Sequence, residues 1–551
     1  MKEMKPCAAN SPPLTPLGFL ERAAIVYGDC TSIVYGNNTV YTWRETNIRC
    51  LRVASSLSSL GIGKSDVVSV LSPNTPAMYE LQFAVPMSGA ILNNINTRLD
   101  ARTVSVLLTH SESKLLFVDV FFCSLAVEAI AMMTTDPPVL VFVADKEEEE
   151  MKEMKPCAAN SPPLTPLGFL ERAAIVYGDC TSIVYGNNTV YTWRETNIRC
   201  LRVASSLSSL GIGKSDVVSV LSPNTPAMYE LQFAVPMSGA ILNNINTHLD
   251  ARTVSVLLTH SESKLLFVDV FFCSLAVEAI AMMTTDPPVL VFVADKEEEG
   301  GGDADVADRN KFSYTYDDLI QRGDPNFKWI RPESEWDPVV LNYTSGTTSA
   351  PKGVLHCHRG IYVMLVDSLT DWTVPKNPVY LWIVPIFHAN GWTYPWTMGN
   401  RRRRRNKRLF AQGRRTDSQP LNRPVNFLTA GSPPPAAVIL RAESIGFVIS
   451  HGYGLTETAG VIVSCAWKPQ WNRLPASDRA MLKTRQGVRT IGGFTEIDVV
   501  DPDSGESVER DGETVGEIVM RGSSIMLGYL KDPIEQRKLS RTGGYTPETL
   551  V

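Results

Sequence analysis

Residues 151–300 repeat residues 1–150 at a constant offset of 150, with two differences only: Arg98 against His248, and Glu150 against Gly300. This duplication constrains folding more than any other feature of the 551-residue chain. A solenoid unit runs ~20–50 residues, so blocks this long do not stack into an array. Near-identity marks a recent duplication or an assembly error, and nothing physical demands two copies. Residues 301–533 occur once. Only one block can therefore dock against them. The other is expected to fold as an appendage or stay loose, exposing apolar surface meant for an interface.

Within one block the pattern alternates. Residues 166–177 have helical spacing, and TSIVYG and NTVYTW read as a hairpin around Gly186-Asn187-Asn188. A helix is expected over Arg194–Leu210, ending at Gly211 as C-cap. Val217–Leu221 reads as a buried strand, Asn224–Met237 as a helix and Ala240–Ile245 as a strand. Asp250 caps a helix running to His260. The apolar stretch Leu265–Met283 carries Asp269 and Glu278, which a spanning helix rarely tolerates; it reads as a strand and then a helix. Such alternation predicts an α/β fold with layered, largely parallel sheets.

The blocks end in acidic runs, Glu147–Glu150 and Glu297–Glu299, and the second continues into Gly300–Gly302 as a linker. With 20% charged residues and a net charge of −6, the chain is neither a disordered acidic tail nor basic overall. One basic run stands out: nine of the fifteen residues 401–415 are Lys or Arg. It reads either as a nuclear-localisation or RNA-binding arm, or as foreign text inside a fold. The second reading is preferred, because patterned apolar text resumes at Val425. The ten cysteines form no CxxC and no metal-ligand spacing, which points to a reduced intracellular protein. No secretory signal or membrane span is expected, and the final residues are not a peroxisomal Ser-Lys-Leu address. A cytoplasmic location follows from these features.

The strongest chemical signal is Tyr343-Thr344-Ser345-Gly346-Thr347-Thr348-Ser349-Ala350-Pro351-Lys352-Gly353, directly after the apolar run Pro338–Leu341. Hydroxyls, glycines and a lysine at this density suit a polyphosphate cradle. The Walker spacing is absent. The bland alternative is a Ser/Thr/Gly-rich surface loop.

This string resembles the phosphate-binding signature of adenylate-forming enzymes, the superfamily of acyl-CoA synthetases, luciferases and peptide-synthetase adenylation domains. His451-Gly452-Tyr453-Gly454-Leu455-Thr456-Glu457-Thr458 resembles its second core motif, and Ala430-Gly431-Ser432-Pro433-Pro434 its adenine-side loop. Pro385–Trp392 resembles the loop before the acyl pocket, and Gly516–Gly522 through Gly528-Tyr529-Leu530 the segment closing the large domain. All follow the family's order. The likeness is greatest to plant acyl-activating enzymes. It covers 151–398 and 425–533, is interrupted at 399–424, leaves 1–150 as an extra copy, and ends before a divergent tail at 534–551.

The resemblance implies an AMP-forming carboxylate–CoA ligase that uses ATP, Mg²⁺ and coenzyme A. Thr344, Ser345, Gly346, Thr347, Thr348 and Lys352 would hold the β- and γ-phosphates. Gly431 and Ser432 would flank adenine, with Gly452, Tyr453 and Gly454 beneath it and Tyr453 stacking. Thr456 would touch the α-phosphate and Glu457 would bind Mg²⁺. His388 would gate the acyl pocket. Each has a plainer reading: a buried aromatic for Tyr453, a solvated surface carboxylate for Glu457, a structural histidine for His388. His356 and His358 lack further ligands and read as strand residues. The rival functions are a truncated nucleotide-binding pseudoenzyme and a nucleic-acid-associated protein acting through Arg401–Arg405.

Three departures from the family pattern bear on activity. The arginine-rich text replaces a pocket wall, the ribose-binding Asp segment after Asp532 is replaced by Gly543-Gly544-Tyr545-Thr546-Pro547, and the small C-terminal domain is not in this text. Loss of one positioned donor typically costs ~10²–10³ in rate. The chain as written is therefore expected to be impaired, with weak or absent pyrophosphate release and no detectable acyl-CoA from butyrate, hexanoate, benzoate or cinnamate. Mass spectrometry of the reaction mixture is the check, and a clear acyl-CoA peak would refute the expectation.

Overall fold

The computed structural model describes residues 15–35, 39–142, 162–186, 189–294, 310–344, 351–374, 378–382, 384–388, 393–396, 424–490 and 495–532. Two compact units result. Leu14–Pro162 with Trp467–Asn472 form the smaller, and Pro163–Ala466 with Arg473 onward belong to the larger.

The larger unit begins with α1 (Gly168–Val176), the hairpin β1 (Thr181–Tyr185) and β2 (Thr189–Thr192), and α2 (Trp193–Ser209). It continues through β3 (Val217–Leu221), α3 (Pro226–Met237), β4 (Ile241–Asn244), α4 (Ala251–Ser261), β5 (Ser263–Asp269), α5 (Cys273–Ala281) and β6 (Val289–Val293). These match the expected elements to within a few residues. Their ends are fixed by side chains. Thr192 Oγ1 accepts from Glu195 N at 3.2 Å while Glu195 Oε2 accepts from Thr192 N at 2.7 Å, a complete capping box. Thr225 caps α3 through Met228 N, and Asp250 caps α4 through Thr253 N at 2.7 Å. Gly211 follows α2 with φ +80°, the left-handed turn expected of a C-terminal glycine.

The single-copy region adds β7 (Tyr314–Thr315), α6 (Tyr316–Arg322), β8 (Pro338–Thr344), β9 (Lys352–Cys357) and α7 (His358–Asp371). Beyond these lie β10 (Val425–Thr429), α8 (Ala436–Ser444), β11 (Phe447–Leu455) and β12 (Gly460–Ser464). Then come α9 (Ala476–Lys483), β13 (Val488–Arg489), β14 (Thr495–Val500), β15 (Glu517–Gly522) and β16 (Gly528–Tyr529). The main sheet runs β7-β6-β5-β3-β4-β8-β9-β16. From β7 to β8 every neighbouring pair is parallel; β9 and β16 are antiparallel additions at one edge. A second sheet runs β10-β11-β12-β13, and β14 pairs with β15. The layered, largely parallel α/β architecture is thus present. His358 departs from the strand expected of it: it is the first residue of α7, where Cys357 Sγ accepts from Gly360 N and starts the helix.

Strand β4 joins the second block to the single-copy text, with Leu242 opposite Val340 and Asn243 opposite Leu341. Between α2, α3 and α6 lies a buried ionic cluster. Arg199 Nε and Nη2 donate to Glu230 at 2.5 and 3.1 Å, and Tyr316 Oη donates to Glu230 Oε2 at 2.7 Å. Burial pushes the Glu230 carboxyl above its ordinary range, against the pull of Arg199 and Tyr316.

The smaller unit folds the same way. Its sheet runs Ile91–Asn94, Val67–Leu71, Leu115–Val118, Val139–Phe142, all parallel, in the registers of the second block displaced by 150. The contrast lies in what covers it. Ile91 is 46% exposed where Ile241 is 1%, and Tyr79 is 37% exposed where Tyr229 is 6%. Among the described residues no strand pairs with the outer side of Ile91–Asn94. No helix of the described residues is long and apolar enough to cross a membrane. The basic run at 401–415 lies outside the described residues.

Removing one partner of a buried ion pair typically costs ~3–5 kcal/mol. Glu230→Ala should therefore destabilise the larger unit by about that much, and Tyr316→Phe by about 1 kcal/mol. Urea unfolding measures both; equal small losses would show the cluster to be solvated.

Candidate functional site

Strands β8 and β9 form an antiparallel hairpin in which Thr344 lies opposite Lys352 and Tyr343 opposite Gly353. The Ser/Thr/Gly string is the connection between them. Ser345, Gly346, Thr347 and Thr348 fall outside the described residues; Thr344 and Lys352 are its two described ends. Strand β16 pairs with β9, setting Tyr529 opposite Val354. The Lys352 Nζ then lies 5.1 Å from the centroid of the Tyr529 ring, within cation–π range. The Tyr529 hydroxyl donates to Glu457 Oε1 at 2.9 Å. One aromatic side chain thus spans from the lysine to the carboxylate.

Glu457 sits in a single 3₁₀ turn, Thr456–Thr458, after β11. Met526 N donates to the Glu457 carbonyl at 2.8 Å, and His356 Nε2–H donates to the Thr456 carbonyl at 2.7 Å. Thr458 Oγ1 accepts from Leu455 N at 2.9 Å and closes the turn on itself. Glu457 is buried, not a solvated surface carboxylate. Its burial is bearable because the Tyr529 hydroxyl supplies a hydrogen bond to the carboxyl group.

The other motif residues gather at the C-terminal ends of β10 and β11. These strands are parallel, with Thr429 opposite His451. The loop at Gly431 and Ser432 follows the end of β10, while Gly452–Gly454 stay in the last part of β11, paired with β12. In parallel sheets this end is where ligands bind. Both Gly452 and Gly454 also have a packing reason. A Cβ on Gly454 would stand 1.8 Å from the Gly460 carbonyl oxygen, and one on Gly452 2.5 Å from Val461. Gly431 has φ +93° and open space where a Cβ would project. Among the described residues the Tyr453 hydroxyl, both ring nitrogens of His451 and the Trp372 indole N–H have no hydrogen-bond partner although their atoms are buried.

His388 is exposed and is not tied to the Lys352–Glu457 cluster by any contact among the described residues. Its loop is pinned by Asn224, whose Nδ2 donates to the Val384 carbonyl at 3.0 Å and whose Oδ1 accepts from Ile386 N at 2.8 Å. His248 meets Phe387 edge-on at 6.1 Å. Partial burial, and then the charge of His248, hold the His388 imidazole below its usual range. Sequence reasoning assigned no role to Tyr529, Asn224 or His248. Tyr529 stood inside a motif already singled out, and His248 is one of two positions that differ between the blocks.

The residues present fit a magnesium nucleotide. A lysine and a threonine flank the glycine-rich connection, and one buried carboxylate supplies a hard oxygen. Among the described residues no group of three or more His, Cys, Asp or Glu could form an all-protein metal cage. Magnesium suits such a site, since it takes one or two carboxylates and fills its shell with phosphate and water.

Burial pushes the His356 and His358 imidazoles down to about 4. The ordinary histidine value is about 6.5, so below it the unfolded chain takes up protons that the folded chain refuses. Stability should therefore fall as pH drops from about 6.5 toward 4. His356→Gln removes one of these groups, so its urea midpoint should change less than wild type between about pH 7 and about pH 5. An unchanged pH dependence would mean that His356 is solvated.

The model of the family described as AMP-binding enzyme matches residues 20–167, 170–400 and 404–530. "Probable acyl-activating enzyme 5, peroxisomal" of Arabidopsis thaliana is 77% identical over 421 residues, covering 72% of this chain and 76% of that protein. "2-methylpropanoate--CoA ligase CCL4" of Humulus lupulus is 56% identical over 423 residues, covering 72% and 75%. The crystal structure of the anthranilate CoA ligase AuaEII with anthranoyl-AMP superposes with a TM-score of 0.57 at 19% identity, covering 72% of this chain and 77% of that one, a likeness of fold. With the family model matched along most of its length and relatives this similar, the chain belongs to the AMP-binding enzyme family.

Proposed function

We propose that the larger unit holds Mg-ATP between the β8–β9 hairpin and the Thr456–Glu457 turn, and that the reaction served is carboxylate activation for coenzyme A. The observation that carries this reading is the Lys352–Tyr529–Glu457 chain, which links the lysine at the end of the glycine-rich connection to one buried carboxylate through a single ring. In that reaction a carboxylate oxygen attacks the α-phosphorus and the bond to pyrophosphate breaks. The coenzyme A sulfur then attacks the acyl carbon, its proton is lost and AMP leaves.

Each residue has a part that its chemistry allows. Thr344, Ser345, Gly346, Thr347, Thr348 and Lys352 stabilise the β- and γ-phosphates, which carry the charge of the leaving group. Gly431 and Ser432 border the base, Tyr453 stacks on it, and Gly452 and Gly454 keep its approach open. Thr456 donates to the α-phosphate. Glu457 holds Mg²⁺, which when bound neutralises phosphate charge. His388 gates the acyl pocket, with Asn224 and His248 fixing its loop. The name of one relative, an acyl-activating enzyme, supports acyl activation, and that of another, a 2-methylpropanoate–CoA ligase, supports a small carboxylic acid as substrate. The proposed compartment is the cytoplasm; the peroxisome in one relative's name is the rival, and nucleic acid is not a proposed partner.

Losing one charge-assisted contact costs about 1.5–3 kcal/mol. Lys352→Ala and Glu457→Ala should each weaken Mg-ATP binding by that amount in isothermal calorimetry. Wild-type affinity in both variants would remove the nucleotide from this site. Carboxylate-dependent exchange of labelled pyrophosphate into ATP separates an adenylating enzyme from a protein that only binds.

A further inference from the structure

The first block contains a groove of about 550 Å³ whose lining includes Leu17, Asn47, Leu51, Ser55, Ser58 and Met87. The counterparts of Ser55 and Met87 in the second block are Ser205 and Met237. There the chain after α6 reaches these two residues, and α6 itself binds their neighbours Arg202 and Ser206. Arg202 Nη1 donates to the carbonyls of Ile320 at 3.1 Å and Gly323 at 3.3 Å. Ser206 Oγ donates to the Leu319 carbonyl at 2.6 Å, and Asp324 N donates to Ser205 Oγ at 3.1 Å. Ile330 N donates to the Met237 carbonyl at 2.9 Å, and Lys214 pairs with Glu333 at 2.5 Å. Beside the groove, β8 pairs with β4.

Every one of these receiving groups exists in the first block, as Arg52, Ser55, Ser56, Lys64, Met87 and the strand Ile91–Asn94. The neighbouring Arg49–Glu80 pair is preformed, with Arg49 Nε 2.5 Å from Glu80 Oε1. We propose that the first block is a second receptor for segment 314–344, and that its occupant is this segment from another copy of the chain. The groups that receive the segment are the same in both blocks, so the hydrogen bonds it makes to its own second block have counterparts on the first block of another copy. What opposes the exchange is the short tether that holds each segment at its own second block, an effective concentration of order mM. Two chains that exchange segments reciprocally close into a dimer, because the second docking is intramolecular once the first is made. The chain's own first block competes less well. Its tether to Tyr314 runs from Phe142 instead of Val293, about three doublings of loop length, which disfavours it roughly twentyfold.

The exposed lysine–glutamate pair provides the test. A water-soluble carbodiimide joins an amine to a carboxylate already in contact, so Lys214 should couple to Glu333 within one wild-type chain. Lys214→Arg keeps the charge and removes that amine, at an exposed site that does not endanger folding. In this variant Glu333 should couple to Lys64, and the product should run at twice the chain mass. Its yield should rise several-fold between about 10 μM and about 500 μM protein, approaching the tether's effective concentration. Adding Lys64→Arg should abolish it. Coupling confined to the single-chain band would assign the occupant to the same chain and overturn the proposal. Dimers without a Lys64–Glu333 product, as pairing of two open strand edges would give, would overturn it too, as would no coupling at all.

Discussion

The structure rests on one parallel strand pairing, β4 against β8. Without it the second block is an α/β fragment with an open apolar edge, which is the condition of the first block. With it, Ile241 goes from the exposure seen at Ile91 to full burial or close to it. That transfer of apolar surface out of water is the main stabilising force between the block and the rest of the larger unit. The pairing also orients the chain for chemistry, since β8 runs directly into the Ser/Thr/Gly connection, and β9 and then β16 beyond it carry Lys352 and Tyr529.

From there the site is a matter of who reaches whom. Tyr529 stands on the last strand of the main sheet, and Glu457 on a turn leaving the second sheet. Their 2.9 Å hydrogen bond ties the two sheets together at the point where charge must be managed. His356 does the same from β9 by holding the Thr456 carbonyl. The Tyr529 ring thus carries a buried carboxylate at its hydroxyl and a lysine over its face, and the proposed binding of Mg-ATP would exchange those partners for a metal and phosphates. The unpartnered Tyr453 hydroxyl and His451 ring show the same incompleteness at the end of β11.

Much of this was legible in the sequence. Apolar runs such as Val217–Leu221, and Asp250 followed by helical spacing, fix their elements through local physics, and the structure has them there. The Ser/Thr/Gly string and the order of motifs pointed to the family now matched. Other features depend on contacts far apart in the chain and leave no local trace. Glu457 allowed a surface reading because its partner, Tyr529, lies 72 residues away. His358 looked like a continuation of its strand, yet the Cys357 cap turns it into a helix start. Which block docks could not be read at all, because the receiving surfaces are the same. The shorter tether from Val293 to Tyr314 favours the second block through loop-closure entropy, not through any residue in the interface.

The central claim is that Lys352, Tyr529 and Glu457 act as one unit on Mg-ATP. A double-mutant cycle on Mg-ATP affinity tests it most directly, using Tyr529→Phe, Glu457→Ala and the pair. Residues in one hydrogen-bonded network couple by about 0.5–3 kcal/mol, whereas independent sites add to within about 0.5 kcal/mol. The account predicts coupling in the first range. Additive losses, or nucleotide affinity untouched by either change, would contradict it.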